Sequence, residues 1–563
     1  WRVGALASAL FAASPWAVFQ SRKLWTQNLP LFTLFFVGSL LVLVAREKPW
    51  ALVPAMAATA CLVGLHLGGL AFSFILIAIL ALFHDKVRLG PLAVGSAILS
   101  SILAPYVLHD ALSGWPNLSR FASVGSGPAG FNWKAFTMAA RVGSGYHLQD
   151  LAGTQHETFT SSLPRLLWID QLEIALFWVA FLWSSARLVR GRFIRRRRLV
   201  APERARAVLL AWFLIPVGLL TQRPSVQPHD FNLLYPVQHL IIALFLTDVT
   251  GWAARRLERR SMIAGRGVRG LITLLVSVLV IWQIVFQQVL LTFVDRHPTP
   301  GGHGAPVKYA LKAARRATAL AEPADTSLIA LLPGGNPGCD GPAAAFDVLL
   351  PHDERRLLDG REALVLPQSN AIYLSHPEAH QASTLVTRLG TELEEPIPLR
   401  AGSDGAYRLF RWEPRAFRLG HRVLDQVHWI LTSEPGGTCS IDLLSYAWEG
   451  EPGPGGTVRW TTMWQIEGEP PNQTVLHWFN HLLDEEGTRW GQRDAVGLPV
   501  SDWQSGDTVV TWFDIPISAE APPPPYTVRT GLYTYPDVNT ISLTDVAGNP
   551  AGQFLELGPI SAN

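Results

Sequence analysis

Apolar blocks recur along this chain from its first residues to about residue 292 and then stop, and that break divides what the polypeptide can fold into. A helix that crosses a bilayer needs roughly 17 to 25 apolar residues. Nine stretches approach that length, at about 3–19, 29–45, 50–66, 68–83, 90–108, 166–188, 206–221, 231–250 and 269–291. Of the whole chain 49% is apolar and 16% charged, so the first part reads as a multi-pass α-helical membrane domain over residues 1–292. The rest is rich in Pro, Gly and Trp, lacks a further spanning block and is long enough for two soluble domains. The sequence opens at Trp1 with no charged leader or cleavage site, and we expect further sequence to precede it.

Threading the nine stretches alternately gathers Arg46, Lys48, Lys86, Arg88, the run "RGRFIRRRR" at 190–198 and "RRLERR" at 255–260 on one side. The excess of Lys and Arg marks that side as cytoplasmic. Residues 20–28, 109–165, 222–230 and everything after 292 then fall outside.

Against this bias, "SRKLWTQNLP" at 21–30 puts Arg22 and Lys23 on the outer side. One reading is a pair of cations snorkelling at a helix end. The other is an anion site, with Arg22 as a planar fork, Lys23 as a point charge and Trp25 as an interfacial anchor. On the same side fall His66 in "CLVGLHLGG", and Arg223, His229 and Asp230 in "TQRPSVQPHDFNLLYP". Each alone reads as a structural group. Together they converge on one face, where ionisable residues at membrane depth point to function.

The stretches "ALFAASPWAVFQSRKLWTQNLPLF", "GLHLGGL" and "PHDFNLLYPVQHLIIAL" give residues 1–292 a resemblance to the membrane-embedded glycosyltransferases related to protein O-mannosyltransferases and lipid A aminoarabinose transferases, the glycosyltransferase family 39-like group with the GT-C fold. The resemblance implies transfer of a sugar from a polyprenyl-phosphate-linked donor to a glycan, lipid or protein acceptor, at the outer face of the plasma membrane. It implies Arg22, Lys23 and Arg223 on the donor phosphate, and Trp25, Gln27, His66, His229 and Tyr235 on substrate. It also implies a catalytic carboxylate in the first outer loop, which would lie upstream of Trp1, leaving Asp230 as the local carboxylate. The family pattern has a His followed by an aromatic residue, whereas here Asp230 separates His229 from Phe231. Apart from the donor and acceptor, membrane lipid is the expected partner and nucleic acid is not. No cofactor is implied, dependence on a divalent metal stays open, and no His or Cys spacing matches a metal motif.

A different class remains in view, a non-catalytic membrane protein of glycan assembly, either a flippase or a scaffold with a glycan-binding sandwich. A transporter would place charged groups deep within its spans. Here the ionisable residues are read at outer helix ends, which favours a surface reaction. The outer loop 109–165 reads either as a cover over the site or as a plain surface loop.

Residues 300–418 mix strand-like "SLIALL" (327–332) and "AIYLS" (371–375) with helix-like "AAAFDVLL" (343–350), the pattern of a small α/β domain. Its "PGGNPGCDG" lacks the residue order of a phosphate loop. Residues 421–563 carry short strands at close spacing, and "TVRWTTMWQI" (457–466) aligns Val458, Trp460, Thr462, Trp464 and Ile466 on one face. We expect an antiparallel β-sandwich, whose outward aromatic residues would suit stacking on sugars. Cys339 and Cys439 stand far apart, and their pairing is left open.

Overall fold

The computed structural model describes residues 2–21, 30–117, 119, 131–146, 148–163, 166–194, 198–258, 262–300, 302, 304–322, 326–351, 355–415, 417, 419–423, 427–433, 437–471, 475–545 and 547–561. The chain divides into two compact units, Trp1–Gly304 and Ala305–Asn563.

The first unit is helical, and among the described residues four helices are long and apolar enough to cross a membrane: Leu89–Leu112, Trp168–Arg192, Val237–Arg256 and Gly265–Arg296. A fifth span arises if Arg2–Ala13 and Pro15–Ser21, bent by 69° at the break before Pro15, count as one. The chain is therefore a multi-pass membrane protein, with fewer full-length spans among the described residues than the nine apolar stretches suggest. The shortfall has a physical cause. Pro30–Ala45, Pro49–Leu65 and Leu67–Leu82 are helical but short. At a rise of 1.5 Å per residue, a helix of about 16 residues covers only about 24 Å of a hydrocarbon core roughly 30 Å thick. Ala201–Leu220 has the length but carries Glu203, Arg204 and Arg206 in its first two turns.

Sharp local geometry makes these interruptions. Between Leu65 and Leu70 the chain turns through Leu67–Gly69, and the His66 ring caps the turn by accepting the Gly68 N–H at 3.0 Å. A Cβ on Gly69 would lie 2.0 Å from the Leu62 carbonyl oxygen, so only glycine fits this close approach. The bundle packs aromatic rings, with Phe36 edge-on to Phe72 at 5.3 Å and Phe177 against Phe213 at 5.0 Å.

The second unit begins with helix Val307–Ala321, whose buried stripe is Ala310, Ala313, Ala314, Ala317 and Ala321. That smooth stripe shares a core with a mixed sheet. Ser327–Leu332 runs parallel to Arg355–Asp359 and Ala371–Ser375, and Ala371–Ser375 runs antiparallel to Ala406–Trp412. Two further sheets follow, built on Gly437–Gly450, Thr457–Gly468 and Thr508–Pro516, and on Leu476–Leu483 and Tyr526–Thr534. All their pairings are antiparallel. The alternation read from residues 457–466 holds, because Val458, Trp460, Thr462, Trp464 and Ile466 are all fully buried. Trp464 of one sheet meets Trp478 of the other at 5.5 Å, and Trp429 meets Trp478 at 5.4 Å. Ala363–Leu366, from the stretch read as α/β, pairs antiparallel with Thr508–Pro516, so the mixed sheet and the antiparallel sheets belong to one compact unit.

Candidate functional site

The short turn Pro228–Leu234 gathers several of the residues singled out above. Its fold follows from its sequence: Phe231, Leu233 and Leu234 are buried, Trp212 donates its indole N–H to the Leu233 carbonyl at 2.9 Å, and His229 and Asp230 stay partly exposed. Asp230 fixes the start of the turn by accepting the Gln227 N–H at 2.8 Å, while its own N–H donates to the Gln227 carbonyl at 3.0 Å. Its other oxygen accepts from Arg223 Nη1 at 2.9 Å.

Both oxygens of Asp230 are thus engaged, and the carboxylate serves here to hold the turn and to orient Arg223. The Arg223 side chain is 52% exposed. Among the described residues its remaining guanidinium N–H groups have no hydrogen-bond partner, so a planar fork of donors faces outward. Asn132 braces the same segment, donating to the Arg223 carbonyl at 3.0 Å and, from its backbone, to the Thr221 carbonyl at 2.8 Å. No local pattern singles out Asn132, which comes from the 109–165 stretch and bonds to backbone 91 residues away.

His66 lies beside this cluster, within reach of the charges of Asp230, Arg223 and His229. With Nδ1 accepting the Gly68 N–H, the neutral ring carries its proton on Nε2. Tyr235 is buried, donating its hydroxyl to the Val142 carbonyl at 3.1 Å. Part of the stretch read as an outer loop is core as well, since helix Lys134–Arg141 buries Ala135, Ala139 and Ala140. Arg22, Lys23, Trp25 and Gln27 lie outside the described residues. Pro15–Ser21 and Pro30–Ala45, which bracket them, both pack against the Pro228–Leu234 turn.

Loops read as cytoplasmic also meet. Glu47 pairs with Lys86 at 3.2 Å and with Arg204 at 2.6 Å, and these cations hold its carboxyl below the usual range.

A second polar cluster was missed in the sequence. Asp170 and Glu173 occupy the first two turns of the spanning helix Trp168–Val189, and both are buried. Asp170 accepts the Trp282 indole N–H at 2.7 Å, and Glu173 accepts the Gln283 amide at 2.6 Å. The available signal was "WIDQLEIALFW", where two carboxylates three apart share one helix face inside an apolar run.

Among the described residues no group of three or more His, Cys, Asp or Glu side chains is placed to hold a metal ion. Cys61, Cys339 and Cys439 are free thiols, with Cys439 buried and Cys339 exposed. A scan against protein-family models and a search of the curated proteins each found no match for this chain.

Proposed function

We propose that this chain is a membrane glycosyltransferase that takes a sugar from a polyprenyl-phosphate carrier and passes it to an acceptor outside the cytoplasm. The observation that carries this reading is the outward guanidinium of Arg223, held by Asp230 on a hydrogen-bonded turn beside His66 and His229. A departing lipid phosphate gains charge in the transition state, and a fixed fork of donors stabilises that charge. The ion pairs around Glu47 support the proposed sidedness, because they join loops whose cations belong on the cytoplasmic side. The second unit then lies outside the plasma membrane.

The test uses the full chain in membrane vesicles supplied with a radiolabelled polyprenyl-phosphate sugar and a membrane extract as acceptor. Arg223→Ala should lower transfer about a hundred- to a thousandfold, and Arg223→Lys should restore little, because a point charge lacks the planar fork. Near-native transfer by a normally inserted Arg223→Ala protein overturns the reading.

One observation favours the flippase alternative. Asp170 and Glu173 are buried within a spanning helix, as groups along a transport path would be. Movement of a fluorescent carrier lipid across vesicles without any sugar transfer would favour that alternative.

A further inference from the structure

We infer that Asp170, Glu173 and Gln283 form a proton-binding site inside the helical bundle, with a single exchangeable proton held between the two carboxylates. The inference stands apart from the glycosyltransferase reading.

Asp170 and Glu173 are each 2% exposed, and Gln283 is fully enclosed. Their hydrogen bonds use neutral donors only, the Trp282 indole and the Gln283 amide. Three oxygens are left over: Asp170 Oδ2, Glu173 Oε1 and Gln283 Oε1 are buried without any hydrogen-bond partner. All three are acceptors, so the cluster lacks a donor. Unmet buried acceptors are rare because each forfeits the hydrogen bond it made in water.

No cation answers them among the described residues. On the helices packed against Trp168–Val189, Arg206 is paired with Asp248, Arg141 lies over the Tyr146 ring, and His239 Nε2 is 3.2 Å from the Gly143 carbonyl. Lys134 is exposed at the start of its helix, and Arg266, Arg269 and Arg296 stand near the two ends of Met262–Arg296. The nearest carboxylate along the helix is Asp170, three residues away on the same face and buried as well. Two like charges so placed in a medium of low dielectric constant cannot both persist. A proton on Glu173 removes one charge and supplies the O–H donor that this cluster of acceptors lacks.

The test is labelling by dicyclohexylcarbodiimide of the full chain in membranes, with the modified peptide located by mass spectrometry. The reagent enters apolar regions and reacts with a protonated carboxyl: the O–H proton passes to a carbodiimide nitrogen, the carboxyl oxygen bonds to the central carbon, and acyl migration to nitrogen leaves a stable acylurea. Nothing else is consumed or released.

We expect an adduct on Glu173, absent in Glu173→Gln, forming at a rate that falls tenfold per pH unit once the pH exceeds the titration of the site. Sodium chloride at fixed pH should leave the rate unchanged. In Asp170→Asn the neighbouring charge is gone, so the fall should begin at lower pH. Absence of an adduct on native Glu173 overturns the inference, since the carboxyl is then charged or out of reach. Protection by sodium overturns it in favour of a metal cation. A pH profile unmoved by Asp170→Asn overturns the sharing of one proton.

Discussion

Removing the Arg356 cation should loosen the second unit at neutral pH and do so much less in acid. Arg356 and Asp507 form a buried pair whose side chains are 9% and 4% exposed, with Nη1 2.6 Å from Oδ2. The pair joins strand Arg355–Asp359 of the mixed sheet to the loop that enters Thr508–Pro516, and the other terminal nitrogen of Arg356 donates to the Asp502 carbonyl. Burial raises the Asp507 carboxyl above its usual range, and the Arg356 cation is the main influence opposing that rise. In Arg356→Met the carboxylate is left buried alone, at a cost of about 3 to 5 kcal/mol. At about 1.4 kcal/mol per factor of ten, opening should become roughly a hundred- to several-thousandfold more frequent.

Hydrogen exchange at the amides of Thr457–Gly468 reads this directly when variant and native protein are compared at each pH, so that the intrinsic rates cancel. The sign follows from linkage. With its folded pKa raised further in the variant, Asp507 favours folding while protonated and opposes it as pH rises through that value. The exchange penalty should therefore shrink as pH falls. Asp507→Asn behaves differently, because asparagine mimics the protonated carboxyl: its penalty against native protein should hold while native Asp507 is charged and vanish once the pH falls through that carboxyl's own titration, which Arg356 keeps below the one in Arg356→Met. Arg356→Met combined with Asp507→Leu should recover most of the protection. A penalty in Arg356→Met that does not vary with pH would refute the reasoning, as would native exchange at neutral pH.

Two further outcomes are expected of the same unit. The His376 ring is buried and accepts the Glu378 N–H at 3.1 Å, and burial pushes it down to about 4. The unfolded chain therefore binds the proton first, so stability is full above about pH 6.5 and falls by about 3 kcal/mol as the pH drops towards 4; His376→Gln should remove that portion of the acid loss in the same exchange measurement. At Gly531 a Cβ would lie 2.4 Å from the Phe479 ring on the paired strand, so Gly531→Val should cost about 1 to 3 kcal/mol by thermal unfolding, and adding Phe479→Ala should return part of it.

Much of the architecture was legible where the signal is local. The strands at 327–332 and 371–375 lie where their apolar runs put them, and the alternation from Val458 to Ile466 identified a face that is fully buried. What escaped depends on distant partners or on breaks inside apolar runs. Composition alone cannot separate one long helix from two short ones joined at Pro49–Ala51 or at Leu67–Gly69, because the joints are themselves apolar. The strand Ala363–Leu366 finds its partner about 145 residues later, beyond the reach of any local pattern. At the candidate site, His66, Arg223, His229 and Asp230 were all found from loop position. Their grouping was readable, but the engagement of both Asp230 oxygens was not, since it depends on a backbone turn. Asp170 and Glu173 were hidden by the apolar residues around them, which satisfy a spanning pattern whether or not two carboxylates interrupt it.

The pairing of Ala363–Leu366 with Thr508–Pro516 also sets an order of events during biosynthesis. A chain emerging N-terminal end first presents the apolar "ALVL" edge long before residues 508–516 exist to cover it. Long-range antiparallel pairing is slow, and an unpaired strand edge is open to association with other chains while it waits. Nascent chains halted anywhere between these two strands should therefore need a holding chaperone that the finished protein does not.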